Sequence, residues 1–155
     1  EDYRKSYSAH RRMGGGVSVD LIHEWDYLIW LFGMPDNVTG IGRKVSELEI
    51  DSEDIAVYVG CTDKRIYEVH LDYFGREEKR ILEMYFPTET VTADLRGGKL
   101  RFSGGKEISM HEERDEYQMR EIAHFFDIIR GVCENDNDIN GAMHTLKIAK
   151  GISGC

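Results

Sequence analysis

The pattern of apolar and polar positions changes period twice along the chain. From Val17 to Phe32 the apolar residues fall at helical spacing, with Leu21, Trp25, Leu28 and Phe32 on one stripe. Gly33 and Pro35 end that segment. The middle then reads as strands over 38–45, 54–61, 64–74, 79–86 and 89–95. The clearest is 65–73, where Tyr67, Val69, Leu71 and Tyr73 alternate with Glu68, His70 and Asp72. That alternation predicts a sheet with one buried and one more polar face. Turn residues at Thr62-Asp63, Gly75-Arg76, Gly97-Gly98 and Gly104-Gly105 are short, so successive strands are expected to run antiparallel. Segments 100–103 and 107–110 are candidates for short edge strands.

Helical period returns near Asp115. Met119, Ile122, Phe126 and Ile129 form a stripe that stops at Gly131, and a second amphipathic segment over 141–152 carries Met143, Leu146, Ile148 and Ile152. Helix, several strands, then two helices predict an α+β fold: an open, mostly antiparallel β-sheet with helices packed on one face. A length of 155 residues fits a single domain over 1–155 with a real core.

Composition narrows the partners. Hydrophobic residues make up 41% and charged residues 32%, as in a soluble globular chain. No apolar run approaches the roughly 18 residues of a membrane span, and no signal peptide is visible, so no membrane role is expected. The net charge of −9 disfavours a nucleic-acid backbone as partner. Arg4, Lys5, Arg11 and Arg12 cluster near the start, as a solvated turn or as a patch for an anionic ligand. The three cysteines form no CxxC, which suits reduced thiols in a cytoplasmic protein. The start at Glu1-Asp2 without an initiator methionine reads as a piece of something longer.

The densest chemistry lies in Gly14-Gly15-Gly16 and the segment after it. The triplet lacks the GxGxxG form of a dinucleotide fingerprint and reads as a tight turn into a helix. Residues three apart on an ideal helix lie about 60° apart around the axis, so Asp20, His23 and Asp26 can share a side. A carboxylate beside a histidine fixes its tautomer and suits proton transfer near neutral pH. The same pattern also describes an ordinary polar helix face. Asp136–Gly141 imitates the start of a calcium loop, but its twelfth position is Lys147 instead of a bidentate Glu, so it reads as a structural loop. No histidine has the spacing of a metal site, and none is expected to bind one.

Asp2-Tyr3-Arg4, Tyr7-Ser8-Ala9, Gly14-Gly15-Gly16-Val17, the run Asp20 to Leu28 and Trp30-Leu31-Phe32-Gly33 resemble the start of the C-terminal domain of the Gfo/Idh/MocA oxidoreductase family. In that family a glycine-rich turn leads into a helix with the pattern D-x-x-x-H-x-x-D. Here Asp20 and His23 stand three apart, where the commoner family spacing is four; both keep the two residues on one helix side.

The resemblance implies a two-domain parent enzyme. An N-terminal Rossmann domain, absent from this chain, would bind NAD or NADP and supply a lysine from an E-K-P motif. This chain would be the substrate-binding and oligomerisation half, inactive alone and holding no cofactor by itself. By the same resemblance His23 is the proton donor or acceptor at the hydroxyl of a sugar-like substrate. Asp20 bonds substrate or that histidine, and Arg4, Tyr7 and Asp26 contribute to substrate binding.

Two other readings remain open. One is a non-catalytic module that dimerises through its outer sheet face, suggested by Ile66, Phe74 and Ile81 near the polar side of the strands. The other is a cofactor-free sugar-binding or isomerase domain.

Overall fold

The computed structural model describes residues 2–110, 112–113 and 115–153. The chain divides into two compact units, one made of residues 1–74 and 137–155 and the other of residues 75–136. The α+β reading holds, with the strands apportioned to two four-stranded sheets, one in each unit.

The first unit opens with three single 3-10 turns, Tyr3–Lys5, Tyr7–Ala9 and Arg11–Met13, which form a strap. Helix α1 (Val17–Asp20) and helix α2 (His23–Phe32) follow. Strands β1 (Asn37–Arg43), β2 (Ile55–Cys61) and β3 (Ile66–Asp72) run antiparallel in sequence. Helix α4 (Ile139–Lys150) and strand β8 (Ile152–Ser153) complete the unit, and β8 lies parallel to β1.

The single helix expected over 17–32 is two helices. Between them the amides of Ile22, Glu24 and Trp25 bond carbonyls three residues back, at 3.3, 3.1 and 3.0 Å. That tighter winding is a 3-10-type junction between the two helices. Trp25 and Leu28 of the expected stripe are buried, while Leu21 and Phe32 are half-buried. Gly33, with φ +90, ends α2 where a Cβ would be strained.

Alternation in β2 and β3 sends Ala56, Tyr58, Tyr67, Val69 and Leu71 inward. Trp25 is the centre of this core. Its ring meets Tyr58 edge-on at 5.6 Å and Tyr67 at 6.3 Å, and truncating such a residue to alanine typically costs about 3–5 kcal/mol. Gly60 leaves the space, since a Cβ there would sit 3.3 Å from the indole. The Tyr58 hydroxyl donates to the Ala149 carbonyl at 2.9 Å and ties α4 to the same face. On α4 the buried positions are Thr145 and Ala149, with Ile148 half-buried. Met143 and Leu146 of the expected stripe remain exposed, because small residues let the helix approach the sheet. Asp138 caps α4 by accepting from the Gly141 amide at 2.8 Å, so the loop that imitates a calcium site supplies a helix cap.

The second unit holds β4 (Ile81–Tyr85), β5 (Thr90–Asp94), β6 (Lys99–Phe102), β7 (Glu107–Ser109) and helix α3 (Glu116–Ile129). Its four strands pair in sequence as antiparallel hairpins. Gly98 and Gly105, both at positive φ, form the last two turns at the glycine pairs singled out in the sequence. The stripe of Met119, Ile122, Phe126 and Ile129 on α3 is exposed. Among the described residues, no helix is long and apolar enough to cross a membrane.

Candidate functional site

Each glycine of the triplet is demanded by the backbone around it. Gly14 ends the third 3-10 turn in the left-handed region at φ +81, and Gly16 sits at φ +127. A Cβ on Gly15 would overlap the Tyr7 and Ser8 carbonyls, and one on Gly16 would overlap the Glu53 carboxylate. The amides of Gly15, Gly16 and Val17 donate to the carbonyls of His10, Ser8 and Glu53 at 3.0, 3.1 and 3.0 Å. The turn is therefore a clasp that fastens the strap to the first helix. Its amides are engaged by protein and a carboxylate lies against it, so it does not fit the pyrophosphate of a dinucleotide.

The strap is fastened a second time to the 44–54 segment. The Ser52 hydroxyl donates to the Ser8 carbonyl at 2.6 Å, and the Arg11 amide donates to Asp51 at 2.6 Å. That segment is itself held by Asp54, which is fully buried. Asp54 accepts from the amides of Val45 and Ser46 at 2.8 and 2.9 Å and from the Ser46 hydroxyl, and Lys44 Nζ lies 3.2 Å away. Burial pushes its pKa up, but these donors together outweigh burial and hold it below the usual carboxylate value.

Between strap, α1 and the end of β3 lies a cleft of about 340 Å³ lined by Tyr3, Ser6, Ser8, Asp20, Ile50 and Tyr73 among others. Asp20, the last residue of α1, is its charged group. Its two carboxylate oxygens accept separately, from the Tyr7 hydroxyl at 2.5 Å and from the Tyr73 hydroxyl at 3.1 Å. The bond to Asp20, and then its charge, raise the Tyr7 pKa. Burial is the main cause of the upward shift at Tyr73, with the Asp20 charge second. Both phenols are thus kept protonated as donors. A carboxylate fixed by two phenols retains lone pairs that can accept from a ligand hydroxyl.

The other candidates lie as follows. His23 stands beyond the helix break; its side chain is 51% exposed, and its Nε2 lies 3.1 Å from Glu24 Oε1. The structure therefore gives Asp20 and His23 different partners instead of pairing them on one helix side. Asp26 is exposed on α2. Arg4 bonds Asp2 through Nε at 2.8 Å and Glu49 through Nη1 at 2.8 Å. It joins the first 3-10 turn to the 48–50 segment, and both carry cleft-lining residues. Its guanidinium, bonded first to Asp2 and then to Glu49, has its pKa raised further.

Tyr73 is the residue that pattern reading assigned to the core. It continues the inward alternation of Tyr67, Val69 and Leu71, but it lies one position past the end of β3, where the inward face opens into the cleft. A larger concavity of about 470 Å³ lies beside Glu113, Asp115, Glu116, Met119 and Arg120 in the second unit. Most of its lining comes from the start of one helix and it holds no convergent donor set, so the cleft at Asp20 is the candidate site. Among the described residues, no group of three or more His, Cys, Asp or Glu side chains could hold a metal ion.

The family model described as "Oxidoreductase family, C-terminal alpha/beta domain", that of the Gfo/Idh/MocA proteins, matches residues 1–75. No curated protein sequence matches the chain significantly. Solved structures share its fold. An oxidoreductase from Thermotoga maritima aligns with a TM-score of 0.79 at 14% identity, over 97% of this chain and 46% of its own. An oxidoreductase from Agrobacterium radiobacter, solved with NAD+, L-tartaric acid and magnesium, aligns with a TM-score of 0.77 at 16% identity, over 98% and 50%. The UDP-N-acetylglucosamine 3-dehydrogenase of Acidithiobacillus ferrooxidans aligns with a TM-score of 0.68 at 18% identity, over 88% and 46%. The chain spans about half the length of these proteins. In sequence the chain matches that family model over residues 1–75, and in fold it resembles these oxidoreductases over nearly its whole length.

Proposed function

We propose that this chain is the substrate-binding half of an NAD(P)-dependent dehydrogenase that acts on a sugar-like alcohol. The observation that carries the reading is the Asp20 carboxylate, held by Tyr7 and Tyr73 in a cleft within the segment that matches the family model. A polyol ligand offers several hydroxyl donors, and a fixed carboxylate ringed by Ser6, Ser8 and tyrosine hydroxyls suits them. Two fold neighbours support the substrate class. One is a UDP-N-acetylglucosamine dehydrogenase, and the other was solved with tartaric acid, a polyhydroxy acid.

In this reading the chain positions the substrate and handles its proton. Asp20 accepts from a substrate hydroxyl, and the phenols hold the carboxylate so that little reorganisation is needed on binding. His23, exposed one helix break away, exchanges the proton with the reacting oxygen. Arg4 keeps the strap against the 48–50 segment, and Asp26 extends the polar surface of α2. The nicotinamide is assigned to a part of the whole protein outside this chain, because the glycine clasp does not fit it. The 155-residue chain alone is accordingly expected to be inactive.

The test is reduction of NAD+ or NADP+ by the whole protein that contains this chain, across a panel of polyols, sugar acids and nucleotide sugars. His23→Ala and Asp20→Asn are each expected to lower kcat/KM by 10²-fold or more, the usual range of a general acid or base. A loss below about tenfold for His23→Ala would remove the histidine from proton transfer. Absence of turnover with every member of the panel would remove the substrate class.

A second reading, compatible with the first, is self-association through the outer face of β1–β2–β3. Ile41, Val57, Val59 and Ile66 are exposed there, and Ile41 stands opposite Val57 in the register. Of the residues that first suggested this surface, Ile66 belongs to it. Phe74 is half-buried past β3, and Ile81 lies in the other unit. Exposed apolar residues adjacent on a sheet mark an interface. Sedimentation is expected to give a dimer that Val59→Glu dissociates; a monomer at high concentration would rule the surface out.

A further inference from the structure

A cysteine, a histidine and an aspartate meet at the C-terminal end of α3, in the unit that does not contain the Asp20 cleft. His124 Nε2 lies 3.1 Å from Asp136 Oδ1, and His124 Nδ1 lies 3.6 Å from Cys133 Sγ. Both ring nitrogens are therefore engaged, one by a carboxylate and one by a thiol.

The chain reaches this arrangement through a specific helix ending. The Val132 amide donates to the Asp127 carbonyl at 2.9 Å and the Gly131 amide donates to the Ile128 carbonyl at 3.0 Å. Those two bonds, with Gly131 at φ +71, form a Schellman ending. It turns the chain back along the helix, so Cys133 comes to rest against His124, nine residues earlier. The following loop then brings Asp136 to the opposite side of the same ring.

The arrangement fixes the direction of proton transfer. Asp136 accepts from Nε2–H, which leaves the Nδ1 lone pair facing sulfur. The thiol then donates to Nδ1 and has a base in contact with its proton. The bond to His124 holds the Asp136 carboxyl below the usual carboxylate value, so it is ionised at neutral pH. A thiol, an imidazole and an orienting carboxylate in this order form an activated nucleophile. Cys133 is half-buried, and His124 and Asp136 are 46% and 59% exposed, so a small molecule in solution can reach the sulfur.

We infer that Cys133 is a thiolation site, at which His124 and Asp136 promote exchange with low-molecular-weight disulfides. Cys133 sulfur attacks one sulfur of the disulfide as its proton passes to His124 Nδ1. The disulfide S–S bond breaks, a mixed disulfide forms at Cys133, and the leaving thiolate takes the proton from His124. Cys133 is oxidised and the departing half of the disulfide is reduced, so no further oxidant is needed. The product adds a bulky polar group at the end of α3.

The experiment treats the intact chain with oxidised glutathione at pH 7 and follows each cysteine by mass spectrometry of tryptic peptides. Trypsin separates Cys61, in peptide 45–64, from Cys133, in peptide 131–147. Cys61 is half-buried like Cys133 and serves as the internal reference. Cys133 is expected to react at least about tenfold faster than Cys61, and His124→Asn is expected to abolish that advantage without changing Cys61. Equal rates in the unaltered chain, or an unchanged Cys133 rate in His124→Asn, would overturn the assignment. If circular dichroism shows that His124→Asn melts α3, Asp136→Asn decides, because Asp136 lies outside the helix. There a slower Cys133 supports the site and an unchanged one overturns it.

Discussion

The hydroxyl of Tyr73 reaches Asp20 across 53 residues of sequence and donates to its carboxylate at 3.1 Å. This bond joins the end of β3 to the end of α1, and the Tyr7 bond to the other oxygen adds the strap. Three separate segments thus meet at one carboxylate, and the cleft forms beside it.

Asp20→Ala removes the acceptor from both phenols and leaves the half-buried Tyr73 hydroxyl without it. The expected cost is about 1–3 kcal/mol, read as a lowered urea midpoint. Tyr7→Phe, at an exposed position, is expected to cost under about 1 kcal/mol. Equal effects of the two substitutions would show that Tyr73 gains nothing from Asp20.

The glycine clasp gives an ordered series. Gly14→Ala meets no atom within 4 Å and carries only the left-handed penalty, about 1 kcal/mol. Gly15→Ala drives a methyl into two backbone carbonyls that cannot rotate away, so it is expected to cost several times as much. Chemical denaturation of the two variants ranks them; a milder Gly15→Ala would mean that the strap is not fastened there.

Asp54 predicts an acid limit. Its folded pKa lies below the ordinary carboxylate value of 3.8, so its contribution is complete above that value and is lost as pH falls through the folded pKa. Stability measured from pH 5 downward is expected to fall, and Asp54→Ala is expected to flatten that fall. At neutral pH the same substitution leaves the part-buried Val45 and Ser46 amides without their acceptor, with an expected loss of about 1–3 kcal/mol.

Tyr58 predicts the alkaline counterpart. Burial, opposed by the Ser18 contact and then aided by the Glu53 charge, pushes its pKa from 10.0 up to about 12. A raised folded pKa contributes stability fully present below pH 10 and lost as pH rises toward 12. Thermal melts across that window should show the loss, and Tyr58→Phe should reduce its slope. An unchanged slope would place the alkaline transition elsewhere, with Tyr73 the next group to replace.

Much of the architecture was legible because its physics is local. Period-two alternation identified the inward side chains Tyr67, Val69 and Leu71, and glycine pairs marked the turns that made the strands antiparallel. Trp25 and Leu28 fell on the buried stripe because both lie on the regular helix α2, where residues three apart share a face. The glycine triplet was readable as a turn, since only glycine adopts φ +81 and φ +127 without strain. The resemblance over residues 2–33 likewise pointed to the family before any contact was known.

Tertiary structure decided the rest. Asp20 and His23 looked like partners at a spacing of three; in the fold Asp20 turns to phenols from two other segments, and His23 Nε2 lies beside Glu24. Tyr73 carries the pattern of a core residue, and only the end of β3 makes it part of a cleft. Asp54 reads in sequence only as the first residue of a strand until the chain folds around it and fills its lone pairs. The meeting of Cys133 with His124 and Asp136 depends on one positive-φ glycine that reverses the chain. Periodicity fixes which face of an element is apolar. It carries no information about which distant polar group a given side chain will meet, because that choice is made by backbone geometry between elements.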